Sequence, residues 1–392
     1  RKTVTWKTEH PVRFFNICGG LLDVKKGDGV AVWFNSQHEW NVETMKDTLE
    51  KCRHYFSEWF APFPRKELRL TEFPGLASYA QGFPGNITFS ESIGFLSRPG
   101  RGEDVDAVFF VTAHETGHQW WGNMLMPGKG LGGNILSEGM ANYSAWMLTR
   151  ECRGDDAAQH VLREWEDTYV NSRSADSERP LVRISGSRPG DSSVTYDKGG
   201  WVFAMLMDHM GRDAMLAGLK DFIVQYQNGP DFPLLQNFVA VMRTHAKDVA
   251  AFDAFTTQWF ERVVLPEFKV CDAKITCPVA GAAGEQEMWT TTAVVENVGT
   301  GTVTVDVAVE GKKPVVAKAD SKVATDANVD TAKPETAPPA PRVLTKVTLG
   351  ADGTDQSKVT IEIKTPFAPA QIVVDPDVRV LQARRKLAQW KP

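Results

Sequence analysis

The stretch AHETGHQWWGN, residues 113–123, constrains the fold of this chain more than any other part of the sequence. It continues the apolar run VDAVFFVT, and together the two segments favour one helix. Residues four apart lie on one face of a helix, so His114 and His118 can both direct an imidazole at one metal ion. Glu115 is rotated about 100° from His114 and can reach a water on that metal rather than the metal itself. The stretch therefore predicts a helix that carries part of a metal site.

A catalytic zinc ion needs a third protein ligand and an open position for water. Two histidines at this spacing also arise by chance, so the motif by itself does not decide the question. Nineteen residues separate His118 from Glu138, which begins the next predicted helix in LSEGMANYSAW. A glutamate there can simply be a favourable partner of the helix dipole, although its small, uncharged neighbours suit burial at a site. Asn142 and Tyr143 lie one turn further on, where they could support a metal ligand.

A tyrosine precedes a glycine-rich helix start in TYDKGGW, residues 195–201. A phenol at this point could donate a hydrogen bond to the oxyanion that develops during attack on a carbonyl. Taken from these residues only, Tyr196 would be a surface tyrosine more often than not.

The remaining pattern predicts an α+β protein in three parts. Residues 1–35 show short strands between glycine-rich turns, and we interpret them as the C-terminal strands of an upstream β domain. Residues 36–265 carry mainly helical patterns. Residues 266–392 contain the short alternating runs of an antiparallel β-sandwich domain. The Ala/Lys/Thr/Pro-rich segment at about 312–342 interrupts them and is predicted to be a mobile low-complexity loop.

Net charge, the length of the apolar runs and the first residue give three further expectations. The net charge is −5, so we expect no nucleic acid partner. No apolar run approaches the roughly 18 residues that a membrane-spanning helix needs. The chain opens on Arg1 without a methionine, and we expect it to be a mature or excised piece.

Together the motifs resemble the aminopeptidase N type of zinc metallopeptidases, the gluzincins. The family pattern H-E-x-x-H-x18-E usually runs H-E-x-x-H-Q-W-[FW]-G-N and then N-E-G-x-A-x-Y, and here it reads HETGHQWWGN and LSEGMANYS. The family's Y-x-K-G element reads YDKG. The resemblance covers about 36–265 and implies a thermolysin-like, mainly helical zinc-peptidase domain followed by an Ig-like β-sandwich.

The resemblance also implies an activity and a cofactor. The chain would hydrolyse the peptide bonds of a peptide or protein substrate with zinc-activated water. The interval of nineteen residues is one longer than the family's usual eighteen, which the connecting GKGLGG, residues 128–133, can absorb. By this likeness the Zn²⁺ ligands would be His114, His118 and Glu138, the general base Glu115 and the oxyanion-stabilising residue Tyr196.

One family motif is degenerate here. In G-x-M-E-N the glutamate holds the free α-amine of the substrate, and the corresponding residues 79–83 read YAQGF, with Gly82 in the place of the glutamate. Glycine cannot supply that ion pair, and Gln81 could accept a hydrogen bond from an amine but would discriminate weakly. The sequence therefore predicts a metallopeptidase for which strict aminopeptidase activity cannot be assumed.

The segments HQWWG and LSEGMANYSAWM resemble those of a bacterial branch of the family. In that branch a peptidase domain is attached to the permease part of an ABC transporter. The resemblance implies a covalent continuation into membrane segments outside this chain, and a location on the extracytoplasmic side of a bacterial membrane. The alternative is a catalytically weak, zinc-containing peptide-binding or sensing module of such a transporter. A third reading is an endopeptidase or an enzyme for blocked N-termini. The presence of Glu115 and Tyr196 favours an enzyme, because a binding module needs neither.

Overall fold

The structure, a computed structural model, describes residues 3–5, 7–8, 12, 15–98, 106–227, 231–278, 288–313 and 339–392. The chain divides into two units, Arg1–Val264 and Leu265–Pro392. Within the described ranges no helix combines the length and apolarity needed to cross a bilayer.

A five-stranded mixed sheet organises the first part of unit one. Its order is β1-β2-β3-β5-β4, with the central pairs β2–β3 and β3–β5 parallel and the outer pairs antiparallel. The central strands are buried along most of their length because both of their faces are covered, and β2 is correspondingly an unbroken apolar run. The strands are β1 (Asp23–Lys26), β2 (Val30–Phe34), β3 (Leu68–Phe73), β4 (Ala80–Phe83) and β5 (Asn86–Ser90).

The two N-terminal strands belong to this sheet. The sequence pattern predicts that residues 1–35 belong to an upstream β domain, whereas in the structure Val30–Trp33 pair in parallel with Leu68–Thr71 of β3. A parallel pair needs a crossover, which α1 (Val42–Trp59) supplies. Its residues Met45 and Leu49, one turn apart, are fully buried in the core cluster that includes β2 and β3.

Helices form most of the rest of unit one. They are α2 (Ala107–Gly117), α3 (Glu138–Arg153), α4 (Asp155–Ser172), α5 (Asp191–Ser193), α6 (Gly199–Met210), α7 (Arg212–Tyr226), α8 (Leu235–Arg243) and α9 (Val249–Glu261). Between α5 and α6 the chain makes one turn of π-helix, Val194–Lys198.

Unit two is built from two antiparallel sheets, ordered β10-β7-β6 and β12-β11-β8-β9. Alternate residues of its strands are buried, as the two-residue period of the sequence predicts. Residues 314–338, which hold most of the predicted mobile loop at about 312–342, lie outside the described residues. The strands are β6 (Phe268–Thr276), β7 (Trp289–Asn297), β8 (Val303–Gly311), β9 (Arg342–Leu349), β10 (Lys358–Thr365), β11 (Pro369–Val374) and β12 (Gln389–Trp390).

Candidate metal centre and active site

Helix α2 presents the two histidines of the HETGH segment. The Asp106 side chain caps its N-terminus by accepting a hydrogen bond from the Phe109 amide at 3.0 Å. The regular helix ends at Gly117, six residues earlier than the apolar pattern predicts, but the His118 amide still donates to the His114 carbonyl at 3.3 Å. His114 and His118 therefore remain one helical turn apart and on one face.

Glu138 joins the two histidines in one cluster. It begins α3, and its Oε2 lies 3.4 Å from Nε2 of His114 and 3.1 Å from Nε2 of His118. Ligand atoms at zinc bond lengths in a tetrahedral site lie about 3.3–3.5 Å apart. Two imidazole nitrogens and one carboxylate oxygen at this spacing are a donor set that fits Zn²⁺.

Hydrogen bonds from outside the cluster orient both imidazoles. Nδ1 of His114 lies 2.7 Å from Oδ1 of Asn142, and Nδ1 of His118 lies 3.0 Å from the Trp121 carbonyl. Since both partners are acceptors, Nδ1 donates in each ring, and Nε2 is the ring atom that faces the cluster and would bind a metal once it has lost its proton. Tyr143, the other residue considered for a supporting role, instead donates its hydroxyl to the Met207 sulfur.

The electrostatics of the cluster follow from the proximity of its charges. Burial lowers the pKa of His118, but the carboxylates of Glu138 and Glu115 outweigh burial and raise that pKa to about 9. Burial raises the pKa of Glu138, and the two imidazoles more than offset it, so this pKa lies well below its usual range. The cluster thus keeps an ionised carboxylate that stabilises positive charge on the imidazoles, and a bound cation would replace the proton of His118.

Glu115 and Tyr196 face the same cavity as the three ligands, a space of about 670 Å³. Glu115 is 7% exposed on α2. The Tyr196 ring stacks on the His114 ring at a centroid distance of 5.9 Å and an angle of 18°. Burial and the Glu138 carboxylate raise the pKa of Tyr196, so its phenol keeps its proton at neutral pH. The cavity therefore combines a carboxylate and a phenol donor with the metal cluster.

The backbone of Tyr196 is tied to the metal cluster through Asn142. Nδ2 of Asn142 donates to the Tyr196 carbonyl at 2.9 Å while Oδ1 of the same side chain accepts from His114. Asn142 is 5% exposed, so both bonds lie away from bulk water. One amide thereby couples a metal ligand to the π-helical turn that carries the phenol.

The strand β4 forms another wall of the cavity, with no room for a side chain at Gly82. A Cβ atom at Gly82 would lie 2.6 Å from the Glu115 carbonyl oxygen and 2.9 Å from Cβ of His118. The Gly82 carbonyl accepts a hydrogen bond from Nδ2 of Asn123 at 3.1 Å, and the neighbouring Gln81 is exposed at the cavity. Among the described residues lining this cavity, Glu115 and Glu138 are the only carboxylates. No further acidic side chain is available there to hold an amine.

A second His/Glu cluster lies at the carboxyl ends of the parallel strands. His38 follows β2, Glu72 is near the end of β3 and Glu91 follows β5, and their ligand atoms all lie within 4.8 Å of one another. Nδ1 of His38 is hydrogen-bonded to Oε1 of Glu72 and lies 3.9 Å from Oε2 of Glu91. Sequence reasoning missed this cluster, because three single residues at unrelated spacings give no motif.

Comparisons with known proteins bear on the family of this chain. Residues 40–259 match the family model described as the peptidase family M1 domain. The chain is 24% identical over 215 residues to probable M1 family aminopeptidase 1 of Encephalitozoon cuniculi, covering 50% of this chain and 24% of that protein. It is 26% identical over 205 residues to human endoplasmic reticulum aminopeptidase 2, covering 49% of this chain and 20% of that protein. The chain thus spans about a quarter or less of the length of these relatives.

A solved structure shows the same fold at low sequence identity. The crystal structure of Legionella pneumophila aminopeptidase A in complex with aspartic acid matches with a TM-score of 0.57 and 15% identity. The match covers 93% of this chain and 38% of that one. It supports a fold of mixed helices and sheets like that of an aminopeptidase.

Proposed function

The chain belongs to peptidase family M1, and from this premise we propose that it is a zinc-dependent metallopeptidase that hydrolyses peptide bonds. The observation that carries the proposal is the convergence of two catalytic groups and a three-ligand cluster on one cavity. The ligands would be His114, His118 and Glu138, with Glu115 and Tyr196 as the catalytic groups.

The roles of the two catalytic groups follow from their chemistry. Bound zinc would polarise the substrate carbonyl and acidify the attacking water. Glu115 would take a proton from that water and pass it to the leaving amine, which is general base and then general acid catalysis. Tyr196 would donate its phenol hydrogen to the oxyanion that develops on the carbonyl, a role that its place beside His114 in the cavity supports.

For the substrate, we propose peptides that need not present a free α-amine. Gly82 occupies the place of the amine-holding glutamate, and the 2.6 Å approach of a Cβ to the Glu115 carbonyl leaves no space for a side chain there. Without a third carboxylate in the described cavity lining, a free ammonium group gains no ion pair that a blocked or internal peptide lacks. A cavity without an amine-binding carboxylate at Gly82 would permit both internal cleavage and removal of blocked N-terminal residues.

A matched peptide assay tests both parts of the proposal. Zinc content and cleavage are measured for the wild type, for Glu115→Gln, and for Glu261→Gln as a control on the exposed end of α9. The substrates are peptide pairs that differ only in a free or acetylated N-terminus. We expect both members to be cleaved at similar rates by the wild type and the control, and neither by Glu115→Gln.

Two results would contradict the proposal in different ways. Cleavage restricted to free N-termini would show that another group selects the amine. Zinc-loaded wild type that binds peptides but cleaves none across a broad library would favour the binding or sensing module instead.

The cellular setting is a further proposal that rests on motif resemblance. We propose that the chain is the extracytoplasmic portion of a bacterial membrane protein that continues into ABC-transporter permease segments. Fractionation of the native protein tests this: recovery of the peptidase activity without the permease segments, in the soluble fraction, would contradict it.

A further inference from the structure

We propose that two adjacent loop residues, Glu178 and Arg179, clamp both ends of the helical segment 191–198 and so position the Tyr196 phenol. Lys198 is the buried anchor of this clamp. All three act as positioning residues through Tyr196, and the inference rests on the proposed function only for the catalytic consequence of that position.

The first half of the clamp holds the end of the π-helical turn. The Lys198 side chain is 1% exposed, and its ammonium donates to Oε1 of Glu178 at 2.7 Å, to the Tyr169 hydroxyl at 3.0 Å and to the Val264 carbonyl at 3.4 Å. The Arg173 guanidinium donates to the other Glu178 oxygen at 2.8 Å. Burial raises the pKa of Glu178, but Lys198 and the neighbouring donors outweigh it and hold that pKa below its usual value. Burial lowers the pKa of Lys198, and the Glu178 carboxylate opposes that shift. A fully partnered Lys198–Glu178 pair therefore fixes the turn at Lys198.

The second half holds the start of the same segment. Nη2 of Arg179 donates to Oδ2 of Asp191, the first residue of α5, at 2.8 Å. Asp191 is 5% exposed, and its backbone carbonyl accepts from the Thr195 hydroxyl at 2.8 Å inside the segment. Glu178 and Arg179 are consecutive, so one short stretch of loop binds both Asp191 and Lys198. Tyr196 lies between these two fixed points.

The segment needs such support because its backbone is unusual. A single π-helical turn is rare and frequently occurs at functional sites. Within it, the Tyr196 carbonyl is held by Asn142, while its side chain remains 37% exposed at the cavity. A buried ion pair contributes little more to stability than well-packed apolar side chains would. One reason for its presence is that it holds the chain in a single conformation. Here the geometry that the ion pairs specify is the placement of a phenol against His114.

A kinetic double-mutant cycle tests the coupling to Tyr196. We expect Lys198→Met to lower kcat by about 10- to 100-fold with little change in KM, since a displacement of about 1 Å can cost 10²-fold. In a Tyr196→Phe background, where kcat is already reduced by roughly 10²–10³-fold, Lys198→Met should cause no further loss. Lys198→Arg should recover part of the activity. Equal losses in both backgrounds would show a merely structural role and overturn the proposal.

Fluorine NMR gives a readout that does not depend on turnover. The chain has six tyrosines, so 3-fluorotyrosine labelling gives six resonances that single Tyr→Phe variants assign. In Lys198→Met the Tyr196 resonance should shift or broaden, and the Tyr169 resonance should change because Tyr169 contacts Lys198 directly. An unchanged Tyr196 resonance beside a changed Tyr169 resonance would overturn the proposal.

Two further variants keep the test decisive. Arg385→Met breaks an ion pair with the buried Asp375 in unit two and should leave both kcat and the Tyr196 resonance unchanged. If Lys198→Met does not fold, Arg179→Gln releases the other end of the segment and should perturb the same resonance. If the wild type cleaves no peptide, the NMR result still decides the positioning inference while the proposed function fails.

Discussion

Two clusters of histidine and glutamate lie in the same unit of this protein, and their surroundings differ. In the first, His114 and His118 each donate Nδ1 to an outer acceptor, which leaves Nε2 directed at Glu138. In the second, Nδ1 of His38 is already hydrogen-bonded to Glu72.

The carboxylates of the second cluster are also engaged elsewhere. The Asn35 amide donates to Oε2 of Glu72 at 2.7 Å, and the Gly75 amide donates to Oε1 of Glu91 at 2.8 Å. These bonds connect the loops that follow the strands and satisfy a nearly buried carboxylate. The comparison teaches that residue types alone do not make a metal site; the outer hydrogen bonds decide which lone pairs face inward.

The largest expected difference between the clusters is in zinc binding. His118→Ala removes a ligand of the first cluster, and we expect loss of both bound zinc and peptide cleavage. His38→Ala should leave one zinc per chain and the cleavage rate unchanged. Metal analysis after dialysis, with a peptide assay on the same samples, measures both. If His38→Ala lost its zinc and His118→Ala kept it, the second cluster rather than the first would be the zinc site.

The hydrogen bonds to Nδ1 of the two histidines should contribute measurably to the affinity of the first cluster for zinc. Asn142→Ala leaves all three ligands but frees Nδ1 of His114, and we expect zinc affinity to fall by about 10–100-fold. Competition with a chelator measures it. Asn297→Ala, at a fully buried asparagine of unit two, is the matched control and should lower stability without changing zinc affinity. Equal affinities for Asn142→Ala and the wild type would mean that the ligands are oriented by packing alone.

The second cluster should matter for stability instead. His38→Ala leaves the Glu72 carboxylate, whose side chain is 4% exposed, without its imidazole partner. We expect a loss of about 1–3 kcal/mol in the free energy of unfolding, the usual cost of an unsatisfied buried polar group. Urea denaturation of metal-free protein measures it. Glu91→Gln, at a more exposed carboxylate, should cost less, and a larger loss there would contradict this ranking.

The smallest effect concerns Asp197, which follows Tyr196 and has no compensating partner in the described part of the chain. Burial raises its pKa from 3.8 to about 7, so the folded protein binds a proton there more tightly than the unfolded chain does. Its contribution to stability is therefore present below pH 4, declines as the pH rises through 7, and is absent above. Glu72, by contrast, is buried with partners.

Asp197→Asn removes this pH dependence. We expect its melting temperature relative to that of the wild type to be higher at pH 8 than at pH 4, by less than the full pKa shift implies, because Asp197 is only partly buried and water screens its charge. Thermal scans at both pH values measure the difference. A difference that does not vary with pH would show that Asp197 is solvated or paired.

The features of the first cluster that depend on local periodicity can be predicted from the sequence. The four-residue spacing of His114 and His118 gives one helical face regardless of what surrounds it. The position of Glu138 at a helix start was also readable, as were the alternating strands of unit two. By contrast, β1 and β2 were assigned to a separate domain, because a parallel partner 38 residues away leaves no local trace.

Only the tertiary structure decided how these parts support one another. The motif resemblance places Gly82 where the family has a glutamate, but only the closeness of β4 to α2 explains why no side chain fits there. The sequence places Lys198 in a Y-x-K-G element, and the fold brings Glu178 and Arg179 to the two ends of the turn that carries Tyr196. Helical and strand periods are set by neighbouring residues, whereas these contacts join residues whose separation along the chain obeys no rule. The sequence therefore specifies which candidate ligands and catalytic side chains are present, and the packing of distant segments determines their orientation.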